Sequence, residues 1–267
     1  MRRLKISILI TFLILFTFTA CSARKGHTAV IVAGSTSVQP YAEILSERCK
    51  EIDMNSHIEV QGGGSSAGIT AVMNGAADIG MSSRALKENE QELWSIEIAK
   101  DGLVLIVHPN NLISNLQLED IQRIYSGEIT NWSEVGGQDA KIHVITREEG
   151  SGTRSAFEEL VMKEISISPK TIVQDSNGTV RQLVSSDINA VGYISLGLLD
   201  NTIKALNINN VEATYENVVN NSYLLHRPFL FVCQGYPEGE VLSFIDFVMS
   251  DEGQNILKNE GLIPPME

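Results

Sequence analysis

The residues with the most specific chemistry are 147–154, which read REEGSGTR. A strand-like run, 141–146, leads into Arg147, and a Gly-Ser-Gly-Thr turn then opens a helical pattern. Backbone N–H groups at a helix start have no intrahelical partner, glycines let a ligand approach the backbone, and a guanidinium offers a fixed fork of donors to an oxyanion. The segment therefore predicts an anion-binding turn, although the same residues also suit an ordinary helix cap beside a surface arginine.

Three more loops of small polar residues follow strand-like runs earlier in the chain: 34–37 (GSTS), 62–68 (GGGSSAG) and 82–84 (SSR). Strand, polar loop and helix thus recur, which indicates an α/β fold with parallel strands. In such sheets, ligands bind beyond the carboxyl ends of the strands, where these loops lie. We therefore expect all these loops to converge on one small polar ligand.

The rest of the pattern predicts helices over 117–125, 176–185, 239–249 and 251–259, and strands over 190–194 and 227–233. Pro169 is expected to end the helix that starts after Thr153, because proline does not continue a helix. The acid-rich stretch 88–97 is interpreted as the solvated face of a helix.

The N-terminal residues have the features of a secretory signal. Basic residues at 2, 3 and 5 precede an apolar run over 6–18, and Thr19-Ala20 stand directly before Cys21. This pattern resembles a bacterial lipobox, so we expect removal of 1–20, lipidation of Cys21 with palmitate among its acyl chains, and a polar tether over 21–27. An ordinary signal peptide with an incidental cysteine is the alternative.

The composition excludes several classes of partner. The formal net charge is −13 for the whole chain and −16 without residues 1–20, which hold three basic residues and no acidic ones. This balance argues against nucleic acid as a partner, and an anionic ligand would have to be held by local dipoles. The five histidines lack metal-ligand spacing, which predicts no metal site and no cofactor, and Cys49 and Cys233 are predicted to be free thiols.

Two other interpretations compete within the loop 62–68. Residues 64–68 match G-x-S-x-G, which would make Ser66 a hydrolase nucleophile with His226 as its base. The sequence has no HGGG-type oxyanion segment, and the match arises easily in a Gly/Ser-rich stretch. Residues 62–67 also match part of a dinucleotide fingerprint, but no acidic residue follows a second strand at a distance of about 20 residues.

Six segments in order resemble the motifs of one known family: GSTSVQPYAE (34–43), QGGGSSAGI (61–69), ADIGMSSRAL (77–86), REEGSGTRSAF (147–157), SNGTV…AVGYISLG (176–197) and RPFLFV (227–232). That family is the PstS type of phosphate-binding protein, the extracytoplasmic receptor of bacterial phosphate ABC importers. The resemblance implies the two-lobed fold of type II solute-binding proteins, in which each α/β lobe has a central, mostly parallel sheet flanked by helices.

The same resemblance implies the division of the chain. The first lobe would comprise 28–107 plus 226–267, and the second 108–225. Crossovers would fall near His108-Pro109 and at 225–227, with the ligand buried between the lobes. The first three polar loops would then face REEGSGTR from the opposite lobe.

The resemblance also implies the ligand contacts and exposes one departure. The family's phosphate-binding positions correspond to Thr36, Ser37, Ser65, Ser83, Arg147, Ser151, Gly152 and Thr153. In the best-studied branch an Asp occupies the position of Ser83, where its carboxylate accepts the proton of hydrogen phosphate and repels sulfate. Glu148 or Asp175 are candidates to replace that acceptor.

Together these features predict a monomeric, lipid-anchored receptor on the extracytoplasmic face of a bacterial cell membrane. It would bind inorganic phosphate and deliver it to the permease and ATPase subunits of an ABC importer, and it would have no catalytic residues. The alternatives are a receptor for another tetrahedral oxyanion, such as sulfate or molybdate, or a serine hydrolase that uses Ser66.

Overall fold

A computed structural model describes residues 29–54 and 56–265 of the chain. The predicted signal peptide, tether and lipidation site, which together span 1–27, lie outside the described residues. Among the residues that are described, no helix combines the length and the apolar character that crossing a membrane requires.

The strands are β1 (Val30–Gly34), β2 (Ile58–Gly62), β3 (Ile79–Ser82), β4 (Trp94–Val107), β5 (Asn115–Leu116), β6 (His143–Arg147), β7 (Ile172–Gln174), β8 (Ala190–Ser195), β9 (Lys204–Ala205), β10 (Asn207–Ile208) and β11 (His226–Cys233). The helices are α1 (Gln39–Ile52), α2 (Ser65–Met73), α3 (Leu118–Ser126), α4 (Gly152–Phe157), α5 (Asn177–Ser186), α6 (Tyr215–Val219), α7 (Gly239–Met249) and α8 (Asp251–Asn259).

The main sheet is parallel at both ends and antiparallel in the middle. Its order is β2-β1-β3-β11-β4-β8-β6-β7, with β9 paired to β4. β1 is parallel to β2 and β3, and β6 is parallel to β7 and β8. The pairings β3–β11, β11–β4 and β4–β8 are antiparallel. The predicted α/β class is confirmed, and the parallel units occur as two groups joined by antiparallel strands.

The long strand β4 connects the two halves of the molecule. Its residues 94–102 pair with β11, and its residues 103–107 pair with β8. The first half has a core that includes Tyr41 and Phe231, and the second half has a core that includes Tyr125 and Tyr193. Residues 103–107 belong to the second core, so packing divides the chain within β4, between Gly102 and Leu103. Lobe movement about 107/108 stays a prediction.

Two local expectations were wrong. The loop at 82–84 is followed by a single 3₁₀ turn, Glu88–Glu90, and then by β4, so 88–97 is not a solvated helix face. The reason is a buried ion pair, since the carboxylate of Glu90 accepts hydrogen bonds from the guanidinium of Arg84 at 2.7 and 2.9 Å. Helix α4 continues as one turn of π-helix, Glu158–Met162. The helix ends there, because Lys163 adopts a positive φ of 55°, and it does not reach Pro169.

Helix α2 packs directly against the backbone of β1. This contact fixes the position of the second polar loop, 62–68, which leads into α2. A Cβ at Gly68 would lie 2.3 Å from the carbonyl oxygen of Ala33 and 2.6 Å from the Cα of Gly34. Such distances are well inside van der Waals contact, so only glycine permits this approach.

We therefore predict that Gly68→Ala lowers the free energy of unfolding by about 1–3 kcal/mol, because α2 must shift away from β1. Denaturant unfolding monitored by circular dichroism measures the change. Gly235→Ala is the matched control, because a Cβ at Gly235 would meet nothing within 4 Å. Equal stability of wild type and Gly68→Ala would contradict the packing of α2 described above.

Candidate anion-binding site

The four polar loops meet at the carboxyl ends of β1, β2, β3 and β6. Contacts join the loops of the two halves directly: Ser37 Oγ lies 2.8 Å from Thr153 Oγ1, and the N–H of Ser66 donates to the carbonyl of Gly150 at 3.1 Å. All the predicted contact residues except the half-buried Thr36 are buried, namely Ser37, Ser65, Ser83, Arg147, Ser151, Gly152 and Thr153. The structure therefore brings the eight predicted residues into one cluster, and their contact with phosphate stays a prediction.

Arg147 leaves β6 in a fixed orientation. Its Nε and Nη2 donate to both carboxylate oxygens of Glu148 at 3.0 and 2.9 Å. Nη2 also donates to the carbonyl of Asp175 at 2.9 Å and to Thr36 Oγ1 at 3.3 Å. The side chain is 1% exposed, and its Nη1 is buried without a hydrogen-bond partner among the described residues. A buried guanidinium nitrogen in this situation is suited to an anionic acceptor.

The first three loops contribute a connected group of hydroxyls. Ser35 Oγ donates to Ser83 Oγ at 2.8 Å, and the backbone N–H of Ser83 donates to Ser65 Oγ at 3.0 Å. Ser65 Oγ and Ser83 Oγ are 3.3 Å apart. The opposing loop lies against this group at Gly152, while the Ser151 hydroxyl accepts from the N–H of Arg154 and caps α4. Ser35 is a member of the cluster that the sequence analysis did not identify.

A second buried arginine, Arg227 of β11, reaches the same cluster and was also missed. Its Nη2 donates to Ser37 Oγ at 3.1 Å, and its Nε and Nη2 donate to Asp101 Oδ2 at 3.1 and 3.0 Å. Asp101 Oδ1 accepts from the hydroxyl of Ser195 at 2.7 Å. Arg227 Nη1 is buried and has no partner among the described residues. The available signal was limited to Arg227 itself, a charged residue directly before the apolar run 228–233, since its partner Asp101 is far away in sequence and lies opposite it only through the register of β11 and β4.

Asn177 is a further member that was not predicted. It is the first residue of α5, after the cap formed by Ser176, and it is 1% exposed. Its Nδ2 donates to Ser37 Oγ at 2.8 Å and lies 3.5 Å from Thr36 Oγ1. Its Oδ1 is buried and has no partner among the described residues. The residues 176–179 indicate a helix start from the sequence, but they carry no local sign of a ligand contact.

Burial and ion pairing are the main electrostatic effects in the cluster, and the two guanidinium groups repel each other in addition. Burial lowers the pKa of Arg227, Asp101 opposes that effect, and the charge of Arg147 lowers the pKa further. Burial raises the pKa of Asp101, against the opposing effects of Arg227 and Ser195. An anion placed between the guanidinium groups would stabilise the charge of both.

The candidate proton acceptors that the sequence suggested are already engaged. Both oxygens of Glu148 accept from Arg147. Asp175 is exposed, and its Oδ1 accepts from the hydroxyl of Thr179 at 3.1 Å. Glu148 is therefore paired with Arg147, and the carboxylate of Asp175 is exposed and not buried in the cluster, so neither is placed as the carboxylate that Ser83 lacks.

The environment of Ser66 does not suit a nucleophile. The hydroxyl accepts a hydrogen bond from Nη2 of Arg84 at 3.3 Å, and Arg84 is itself paired with Glu90. A guanidinium is a permanent donor and cannot remove the proton from a serine. Within 29–54 and 56–265, no group of three or more His, Cys, Asp or Glu residues has the arrangement of a metal site.

Comparison with known proteins identifies the family. Residues 22–252 match the family model for the PBP superfamily domain. The phosphate-binding protein PstS of Borreliella burgdorferi is 34% identical over an alignment that covers 97% of this chain and 98% of that protein. The chain belongs to the PstS family. PstS of Bacillus subtilis is 29% identical over 92% of this chain and 84% of its own length.

Solved structures agree with the PstS assignment. A phosphate ABC transporter substrate-binding protein from Clostridium perfringens, with bound phosphate, has a TM-score of 0.87 and 44% identity, covering 90% of this chain and 100% of that one. An ABC-type phosphate transport receptor from Vibrio cholerae has a TM-score of 0.74 and 37% identity, covering 88% and 100%. These relatives confirm the predicted type II fold of this PstS-family chain. They are transport receptors and not enzymes, which confirms the prediction of no catalytic function.

Gly152 determines how closely the loops of this PstS-family chain approach each other. A Cβ there would lie 2.1 Å from Ser65 Oγ and 2.5 Å from Ser83 Oγ. We predict that Gly152→Ala displaces the hydroxyls of Ser65 and Ser83 and weakens phosphate binding more than about tenfold, a loss of ~1.4 kcal/mol, at nearly unchanged melting temperature. Isothermal titration and thermal melting measure the two effects.

The matched control for this variant is Gly178→Ala, in the first turn of α5. A Cβ at Gly178 would meet only Ser176 Oγ, at 3.7 Å, which is ordinary contact. Equal dissociation constants for Gly152→Ala and Gly178→Ala would show that the approach at Gly152 is not needed for binding.

Proposed function

We propose that this chain is the extracytoplasmic receptor of a phosphate ABC importer, and that it binds inorganic phosphate between its two lobes and delivers it to the membrane permease. The observation that carries the proposal is the buried cluster of hydroxyls with two guanidinium groups, Arg147 and Arg227, each of which has an Nη1 without a hydrogen-bond partner in the described part of the chain. The phosphate-binding relatives of the same family support phosphate as the anion.

The chemistry of the cluster suits a small tetrahedral oxyanion. Hydroxyls of Thr36, Ser37, Ser65 and Thr153 and the guanidinium groups can donate to several oxygens from different directions. Each charge-assisted hydrogen bond contributes about 1.5–3 kcal/mol. A chain with a formal net charge of −13 has no long-range attraction for an anion, so these local donors must supply the binding free energy.

Capture would occur by closure of the lobes 28–107 plus 226–267 and 108–225. Contacts such as Ser37–Thr153 and Arg147–Thr36 join loops from both predicted lobes. An anion that accepts hydrogen bonds from both sides would stabilise the closed arrangement by its differential affinity for it. The permease and ATPase subunits would then receive phosphate when the lobes open.

We predict that Arg147→Ala weakens phosphate binding by at least ~1.5 kcal/mol, more than tenfold, because it removes the charge-assisted donor from the second lobe. Isothermal titration with inorganic phosphate measures the dissociation constant. Arg123→Ala is the control, since Arg123 is 52% exposed and pairs with Asp120 and Glu128 on the surface. An unchanged constant for Arg147→Ala would remove this residue from the site.

Competition titrations on the wild type test the choice of anion. Phosphate is expected to bind with a nanomolar-to-micromolar dissociation constant, and sulfate and molybdate are expected to compete weakly. Tight sulfate or molybdate binding with weak phosphate binding would replace the proposed function with that of a receptor for the other anion.

Membrane attachment is proposed from the sequence at 1–27, through lipidation of Cys21 after removal of 1–20. We predict that Cys21→Ser releases the protein from the membrane fraction and abolishes incorporation of labelled palmitate, because the thiol that carries the lipid is lost. Cell fractionation with palmitate labelling measures both effects, and Cys49→Ser serves as the control. Wild-type protein without label would favour an ordinary signal peptide instead.

A further inference from the structure

We propose that Asn177 recognises the protonated oxygen of hydrogen phosphate. Its Oδ1 accepts a hydrogen bond from the O–H group of the anion, and the site therefore prefers protonated over fully ionised tetrahedral anions. This inference rests on the proposed function, and it concerns how the same site selects its ligand. An amide oxygen would thus accept the proton of hydrogen phosphate, the role that a carboxylate would have at the position of Ser83.

The amide of Asn177 is held in one position beside the predicted phosphate contacts. Its side chain is 1% exposed, and its Nδ2 donates to Ser37 Oγ at 2.8 Å. Ser37 Oγ also accepts from Arg227 Nη2 at 3.1 Å and lies 2.8 Å from Thr153 Oγ1, where either hydroxyl can be the donor. The Nδ2 end of the amide is therefore committed to this network.

The Oδ1 end is buried and has no partner among the described residues. Within 29–54 and 56–265, Arg147 Nη1 and Arg227 Nη1 of the same cluster are also buried without a partner, and both are donors. Two free donors and one free acceptor match the needs of an anion that has several unprotonated oxygens and one O–H group. Burial of an amide oxygen without a partner is costly, so its position calls for a donor.

The other acceptors named in the cluster each accept at least one hydrogen bond. Ser83 Oγ accepts from Ser35 Oγ, and Ser65 Oγ accepts from the N–H of Ser83. The carboxylates of Glu148 and Asp101 are paired with Arg147 and Arg227. Among the described residues of the cluster, Asn177 Oδ1 is thus the buried side-chain acceptor that lacks a hydrogen bond.

Protonation distinguishes the competing anions. At neutral pH, phosphate and arsenate carry an O–H group that can donate to Oδ1, whereas sulfate and selenate are fully ionised. A fully ionised oxygen facing Oδ1 would place two acceptors together with no proton between them, which is unfavourable. Because an amide has only partial charge, the repulsion is weaker than that of a carboxylate, and selectivity is correspondingly smaller.

The experiment measures dissociation constants for phosphate, arsenate, sulfate and selenate by isothermal titration, with thermal melts to verify folding. In Asn177→Ala, we expect phosphate and arsenate to bind about five- to tenfold more weakly, the loss of one hydrogen bond, with sulfate and selenate unchanged or tighter. In Asn177→Asp, the phosphate-to-sulfate preference should rise about tenfold or more, because a full negative charge repels the ionised anions.

Thr153→Ala is the control, since it removes a predicted hydroxyl contact and leaves the hydrogen bond from Asn177 Nδ2 to Ser37 Oγ in place. It should weaken all four anions by a similar factor. Equal weakening of all four anions by Asn177→Ala would overturn the proposal and leave Asn177 a purely structural role, as would a selective loss of phosphate and arsenate in Ser83→Ala but not in Asn177→Ala. A wild type that binds no phosphate would instead refute the proposed function.

Discussion

Arg147 and Arg227 are both almost completely removed from water, and their charges repel each other. The free energy of removing an ion from water is large, so each guanidinium requires fixed partners in its immediate surroundings. For Arg227 the partner is Asp101, placed opposite it by the antiparallel register of β11 and β4. For Arg147 the partners are Glu148 and the carbonyls of Gln174 and Asp175 at the end of β7. The charged site and the mixed sheet therefore depend on each other.

This constraint explains how an acidic protein can present a positive centre. The carboxylates that compensate the arginines lie on the side of each guanidinium that its Nε and Nη2 face, and Nη1 stays without a partner among the described residues. In a buried, low-dielectric setting such a donor interacts strongly with an anion over a short distance. The overall formal charge of −13 has little influence at that range because water and salt screen it.

The sequence predicted those parts of the site that depend on local signals. Helices 239–249 and 251–259 were placed correctly by their periodicity and caps, and the polar loops were found from their position after apolar runs. Strand β4 was missed because Asp101 and Gly102 interrupt its apolar pattern. Asp101 stands 126 positions from Arg227, so no local signal shows that the two charges compensate each other. Register between distant strands is a property of the folded sheet.

In this cluster, different groups account for affinity and for selectivity. The difference is whether the group has a fixed or a variable role in hydrogen bonding. A hydroxyl such as that of Ser37 or Ser83 can rotate and act as donor or acceptor, so a layer of hydroxyls adapts to any small oxyanion. Guanidinium nitrogens only donate, and they favour negative charge without sensing where a proton lies. An amide oxygen only accepts, so it interacts oppositely with a protonated and an ionised oxygen. A site that has serine in place of a carboxylate must therefore discriminate between protonated and ionised anions through a group whose hydrogen-bonding role is fixed. In this cluster that group is Asn177, which lies on the opposite side from Ser83.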